Sequence, residues 1–210
     1  MLPPPLRLAL GYAAPDSRPA IAAVFALDSR LARAGAEASE PIIAQMKLAW
    51  WRDQFAKPAA DWPRGEPLLA EICALGLEPD RLLGLVDGWE AIITAEALDV
   101  PALQAFSAGR AASWLAVAET LGQESHADAV LAAGRMWALG DLGSHLDPGA
   151  RELVRSIDPD ELPGIPSLPR SLRPFQVLAA LGRRATARGR PLLDGAAALA
   201  LALRVGISGR

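Results

Sequence analysis

Runs of β-branched residues in period-2 alternation, the mark of a half-buried strand, are missing from this chain. Nearly every segment instead carries apolar residues at helical spacing, with proline and glycine as punctuation. A short helix is expected over residues 6–12. The stretch "PDSRPAIAAVFALDSRLARAGAEAS" starts a longer one near Asp16, with Pro19 tolerated in its first turn. Ile21, Val24, Phe25, Asp28 and Leu31 fall near i, i+3, i+4, i+7 spacing, so its apolar face carries one acid. "SEPIIAQMKLAWWRDQF" follows, with Ser39 as the cap, Pro41 just inside and Pro58 as the stop. The loop "KPAADWPRGEP" leads to helices in "LLAEICALGL" and "DRLLGLVDGWEAIITAEAL". The next opens at Pro101 and ends at Gly122; the one after it has Pro148 just beyond its end. "DPDELPGIPSLP" is a proline-rich connection, and two helices close the chain. No fixed-period repeat is visible. About eight to ten helices with short loops predict an all-α bundle.

The chain has 210 residues, 51% of them hydrophobic. That supports one sizeable core or at most two small domains, and residues 1–210 are expected to form one. A net charge of −3 gives no sign of nucleic-acid binding. Cys73 is the sole cysteine, so no internal disulfide forms. Three prolines stand near the N-terminus where a signal peptide would carry charge. The apolar run "GAAALALALRVGI" is broken by Arg204 and falls short of the roughly 20 residues that span a bilayer. A cytoplasmic location, with contact to the inner face of a membrane as an option, is expected.

Adjacent tryptophans, Trp50 and Trp51, set a sharper constraint. Neighbours on a helix point about 100° apart. Both indoles are buried only if the helix is covered over much of its circumference. The 40–56 helix is therefore expected to lie largely inside, with Trp50 more enclosed than Arg52. Arg52 and Asp53 would pair with neighbouring helices.

At "MKLAWWRDQF" the sequence resembles the squalene/phytoene synthase family, whose members carry an "R-L-x-W-W-R-D/E" helix there. The neighbouring pieces follow in the same order. "VDGWEAII", with Asp87, looks like the "D-G-x-E" segment, and "AFSAGRAASWLAVAETLG" like the "Y-x-x-x-x-A-G-x-x-G" helix. "AGRMWALGDLGSHL" looks like the helix of the second aspartate motif, and "SLPRSLRPFQVLAALGRRA" like the closing helices. The resemblance covers about residues 8 to 190 and implies an isoprenoid-synthase-like helical bundle.

Synthases of that family join two prenyl diphosphates. They need Mg²⁺ held by carboxylates on two facing helices, because the ion takes oxygen ligands and bridges phosphates. On the first helix the positions where those acids belong read Ala32, Arg33, Ala34, Gly35 and Ala36. Asp28 lies about a turn too early, and Glu37 is alone near the helix end. On the second, Asp141 and His145 stand at i, i+4 where the family has two aspartates. Imidazole suits Zn, Cu or Ni better than Mg²⁺, so this is at most a vestigial metal pair. Tyr12 is the one tyrosine, whereas family synthases use several in the cavity. These departures imply degenerate ionisation machinery. They bring the chain nearer the non-catalytic branch, which includes a mitochondrial factor for assembly of respiratory complex I.

Asp87, Glu90 and Glu96 are otherwise scattered acids, expected in solvent. Residues 162–193 hold six arginines: Arg170, Arg173, Arg183, Arg184, Arg188 and Arg190. A solvated face is the plain reading. A grip on a diphosphate, anionic lipid headgroups or an acidic partner is the other. Phe175, Leu178 and Leu181 are three apart and can share a buried face beneath them. Three functions follow as expectations. One is a non-catalytic binding or assembly factor with an unknown protein partner. The second is an active prenyl transferase, the only case requiring Mg²⁺ as cofactor. The third is a carrier holding an isoprenoid or lipid tail in the old cavity.

Overall fold

The computed structural model describes residues 1–38, 40–157 and 164–210. Among them there is no strand, and the chain is all-α. The helices are α1 (Pro4–Leu10), α2 (Arg18–Ala36), α3 (Pro41–Phe55), α4 (Pro67–Leu75), α5 (Pro79–Ile93), α6 (Val100–Thr120), α7 (Ala127–Gly143), α8 (Pro148–Ser156), α9 (Arg173–Arg188) and α10 (Gly195–Ser208). Ser39 and residues 158–163 of the proline-rich connection lie outside the described residues.

Proline sits in the first turn of most of these helices, where a missing N–H costs nothing. Helix α8 is absent from the sequence reading because Pro148 serves as both stop and start. Asp147 caps it, accepting bonds from the backbone N–H groups of Gly149 and Ala150. At the far end of α9, Gly189 takes φ +60°, the left-handed conformation that ends a helix cheaply only at glycine.

Two helices are buried nearly all round. In α6 every residue from Gly109 to Ala118 except Ala112 is inside, and in α9 every residue from Pro174 to Gly182. A helix that is apolar on all sides belongs in the middle of a bundle. Glycine lets the backbones meet there. A Cβ on Gly140 of α7 would lie 2.3 Å from the Gly182 carbonyl oxygen of α9. A Cβ on Gly134 would lie 2.6 Å from Cα of Ala111 on α6. Close approach brings aromatics from three helices into register. Trp114 of α6 stacks on Trp137 of α7 at 5.0 Å and on Phe175 of α9 at 4.2 Å, and Phe25 of α2 packs edge-on to Phe175. Phe175, Leu178 and Leu181 do share the buried face of α9. The contiguous apolar core draws residues from Leu6 to Val205.

The expectation for α3 fails in part. It rides on α2 and α5 through Ala44, Leu48, Trp51 and Phe55, one stripe at i, i+4, i+7, i+11. Ile42, Ile43, Met46 and Trp50 face outward. Trp51 is 6% exposed and Trp50 38%, so Trp50 is not the better enclosed of the Trp50–Arg52 pair. The physical reason is that none of the described residues covers the outer half of this helix: Trp51 takes the inner face and Trp50 is left on the outer one.

Candidate functional site

Asp28 is the acid on the apolar face of α2, and its carboxylate is fully enclosed. A buried carboxylate is tolerated only with a cation and full hydrogen bonding. Arg110, from the middle of α6, supplies both. Its Nε donates to Asp28 Oδ1 at 3.0 Å and its Nη2 to Asp28 Oδ2 at 2.7 Å, a two-pronged pair. The indole Nε1 of Trp89 donates to Asp28 Oδ1 at 2.8 Å. The third arm of Arg110, Nη1, donates to Asp141 Oδ2 of α7 at 2.8 Å. One guanidinium thus bridges acids from two helices while lying over the Trp137 ring at 3.6 Å. Burial alone would lower the pKa of Arg110, but Asp28 and Asp141 outweigh it and hold the pKa above the ordinary arginine value.

Beside this centre is a cavity of about 60 Å³, walled by Asp28, Trp89, Trp137 and Asp141 and closed by Pro3, Pro5 and Leu6 of the N-terminal segment. A ligand pocket needs on the order of 300–1,000 Å³, so this one is far too small. The centre of the bundle is otherwise taken up by the stacked rings. Two of those rings, Trp114 and Trp137, bury their indole N–H groups without an acceptor among the described residues.

The proposed metal pair does not assemble. Asp141 is committed to Arg110, and the His145 Nδ1 lies 2.9 Å from the Asp141 backbone oxygen, at the exposed end of α7. Among the described residues no cluster of three or more His, Cys, Asp or Glu side chains is placed to share an ion. The donor set does not fit Mg²⁺: both Asp28 oxygens and one of Asp141 accept from nitrogen donors, where Mg²⁺ would need them.

Arg52 does pair, as expected, with a neighbouring helix. Its guanidinium meets Asp87 and Glu90 of α5, and the hydrogen bonds to Glu90 and then Asp87 raise its pKa. So Asp87 and Glu90 are not simply solvated acids. Asp53 faces solvent.

The arginines of the C-terminal third divide. Arg184 donates to the Asp194 backbone oxygen at 3.2 Å, and Arg190 reaches the Asp194 carboxylate at 3.3 Å, so these two are bound up with the chain. Arg183 and Arg188 are exposed on α9. Arg170 and Arg173 stand apart at its other end, beside Tyr12, Gly206 and Ile207. Arg173 is held by Gln176, itself buried, at 2.9 Å.

Arg110 is the residue that sequence reasoning missed. The signal was present: it is the lone charge between Asp99 and Glu119, in a helix otherwise apolar or small. The lone acid on the apolar face of α2 demanded a buried cation from somewhere. No family model, no curated protein and no solved structure matches this chain.

Proposed function

We propose that the chain is a non-catalytic binding or assembly protein on a squalene/phytoene-synthase-like bundle, its ionisation site replaced by an internal ion-pair centre. The observation that carries this reading is Arg110 lying between Asp28 and Asp141. In a working synthase of that kind, acids on two facing helices present oxygen to metal and diphosphate. Here acids on α2 and α7 also face each other, and a side chain of the protein supplies the positive charge between them. Such a centre ties α2, α6 and α7 together, since both Asp28 oxygens and all three arms of Arg110 are engaged. The aromatic stack through Trp114 supports the same reading against a carrier that encloses its ligand at the bundle centre, because the rings occupy that centre. The apolar surface left outside on α3 supports the binding half, as exposed patches of this kind mark contact sites.

The test is incubation of the purified chain with farnesyl or geranylgeranyl diphosphate and Mg²⁺. The expected result is no diphosphate release and no condensed product. Turnover that disappears in Asp141→Ala would overturn the reading in favour of an active prenyl transferase.

A further inference from the structure

Charge is distributed unevenly along this chain. Residues 164–210 carry eight arginines against one acid, Asp194, a formal +7. The remainder carries −10, which gives the whole its −3. This basic segment also ends in a helix with an openly apolar outer surface. On α10, Ala198, Ala202 and Val205 pack inward against α9. Leu199, Leu203 and Ile207 point outward, 53%, 54% and 73% exposed. Their i, i+4, i+8 spacing makes one stripe along the helix, with the small residues Ala196 and Ala200 filling it.

The stripe is bordered by cations. Arg204 follows Leu203 round the helix and is exposed. On the other side Ile207 and Gly206 share a cleft with Arg170 and Arg173. Arg210 lies just past the helix end. Asp194, at the start of α10, is already engaged by Arg184 and Arg190. Leucine and isoleucine in a row, flanked by exposed arginines, match a bilayer interface whose headgroups are negative. A second copy of the chain fits less well. A twofold contact through this stripe would set Arg204, Arg210 and Arg170 of one copy near their own counterparts.

We propose that the α10 face docks on an anionic membrane surface, with Leu199, Leu203 and Ile207 entering the headgroup boundary and Arg170, Arg173, Arg204 and Arg210 meeting lipid phosphates. No helix among the described residues is long and apolar enough to cross a membrane, so the contact is peripheral. It stands apart from whether the bundle turns over any substrate.

The experiment is flotation of the full chain with phosphatidylcholine vesicles, with and without about one-third phosphatidylglycerol, at low and high salt. The expected result is binding to the anionic vesicles only, falling at least tenfold as salt screens the arginines. Arg170→Glu with Arg204→Glu should weaken partition about thirtyfold or more. Leu203→Glu with Ile207→Glu should abolish it, and the milder Leu203→Ser with Ile207→Ser should weaken it. All four positions are at the surface, so unchanged circular dichroism and melting accompany each loss. Failure of the wild type to bind anionic vesicles, or binding unaltered in either the arginine or the apolar variants, overturns the proposal. So does a dimer in solution that Leu203→Glu splits, which would assign the stripe to a second copy. No prenyl substrate enters the assay, so its outcome is separate from that of the diphosphate test.

Discussion

Helices α6, α7 and α9 meet at their backbones, whereas α3 rests on the bundle through side chains alone. At the inner joint Gly134 lies against Ala111 and Gly140 against Gly182, and aromatic rings from all three helices stack in the space left over. At the outer one α3 has no glycine, buries a single stripe and is pinned by Arg52 to Asp87 and Glu90. The inner region is closely packed, so a change of volume there is felt directly. The outer region keeps an apolar face without cover. The difference teaches where a partner can act on this molecule: on the outer helices, where apolar side chains stand open, since the enclosed cavity at the Asp28–Arg110 centre holds only about 60 Å³.

The buried ion-pair centre is where the inner region should break most severely. Removing Asp28 (Asp28→Ala) leaves Arg110 enclosed with half its partners, and breaking a buried pair in this way costs about 3–5 kcal/mol. Chemical denaturation should show a loss of that size. Replacing both members, Arg110→Met with Asp28→Leu, should recover most of it, because apolar residues of similar volume replace a buried pair at little cost. Asp141 is a quarter exposed and water can take over its solvation. Should the double variant be as unstable as the single one, the centre is doing something other than balancing charge.

The neighbouring tryptophans allow a comparison within one helix. Trp51 lies over Phe55 at 5.7 Å and under Arg30, inside the stripe that holds α3 to the bundle. Trp51→Ala should cost about 3–5 kcal/mol, the range for a buried aromatic. A loss below about 1 kcal/mol would show that the Trp51 stripe does not hold α3 to the bundle.

How much of this was legible in the sequence depends on what kind of signal each feature leaves. The helices were legible because proline marks their starts and apolar spacing their faces; α8 escaped because one proline, Pro148, does both jobs. Trp51 and Trp50 are the same letter, and which one turns inward depends on how far neighbouring helices wrap around α3. Only the tertiary arrangement settles that. The Asp28–Arg110 pair spans 82 positions, so no local pattern links its members. Each is nevertheless odd in its own helix, and together they form the one pairing that the cost of buried charge makes necessary. The arginines of the C-terminal third were visible as a run, but not that Asp194 ties up two of them while Arg170 and Arg173 lie beside Ile207.

A smaller effect should come from adding a single carbon to the inner joint. In Gly140→Ala the new Cβ meets backbone, not a movable side chain, so α7 and α9 must part by an ångström or so. Overpacking of this kind costs about 1–3 kcal/mol. Gly65→Ala serves as the control, since open space surrounds that position and the change should be close to neutral. Equal melting temperatures for the two variants would mean that the helices of the inner joint slide freely, and that its tightness is not what excludes a ligand.

The smallest effect on stability is expected at Trp50. Its indole meets Trp51 edge-on at 5.0 Å and otherwise looks outward beside Ile43, Met46 and Lys47. Truncation to alanine removes contact on one side only, so the loss should stay under about 1 kcal/mol, as for a surface substitution with modest packing. The same exposure has a spectroscopic consequence. Of the six tryptophans, Trp114 and Trp137 are sealed in the core and Trp51 and Trp62 are buried. Trp89 is half-buried and Trp50 is the most exposed, so Trp50→Phe should remove the largest single share of the emission that iodide quenches, Trp89 leaving the remainder. If the quenchable fraction is unchanged in Trp50→Phe, Trp50 itself is shielded and the outer face of α3 is covered. The contrast between a filled interior and a bare outer helix would then vanish, and with it the reason to look for a partner on α3.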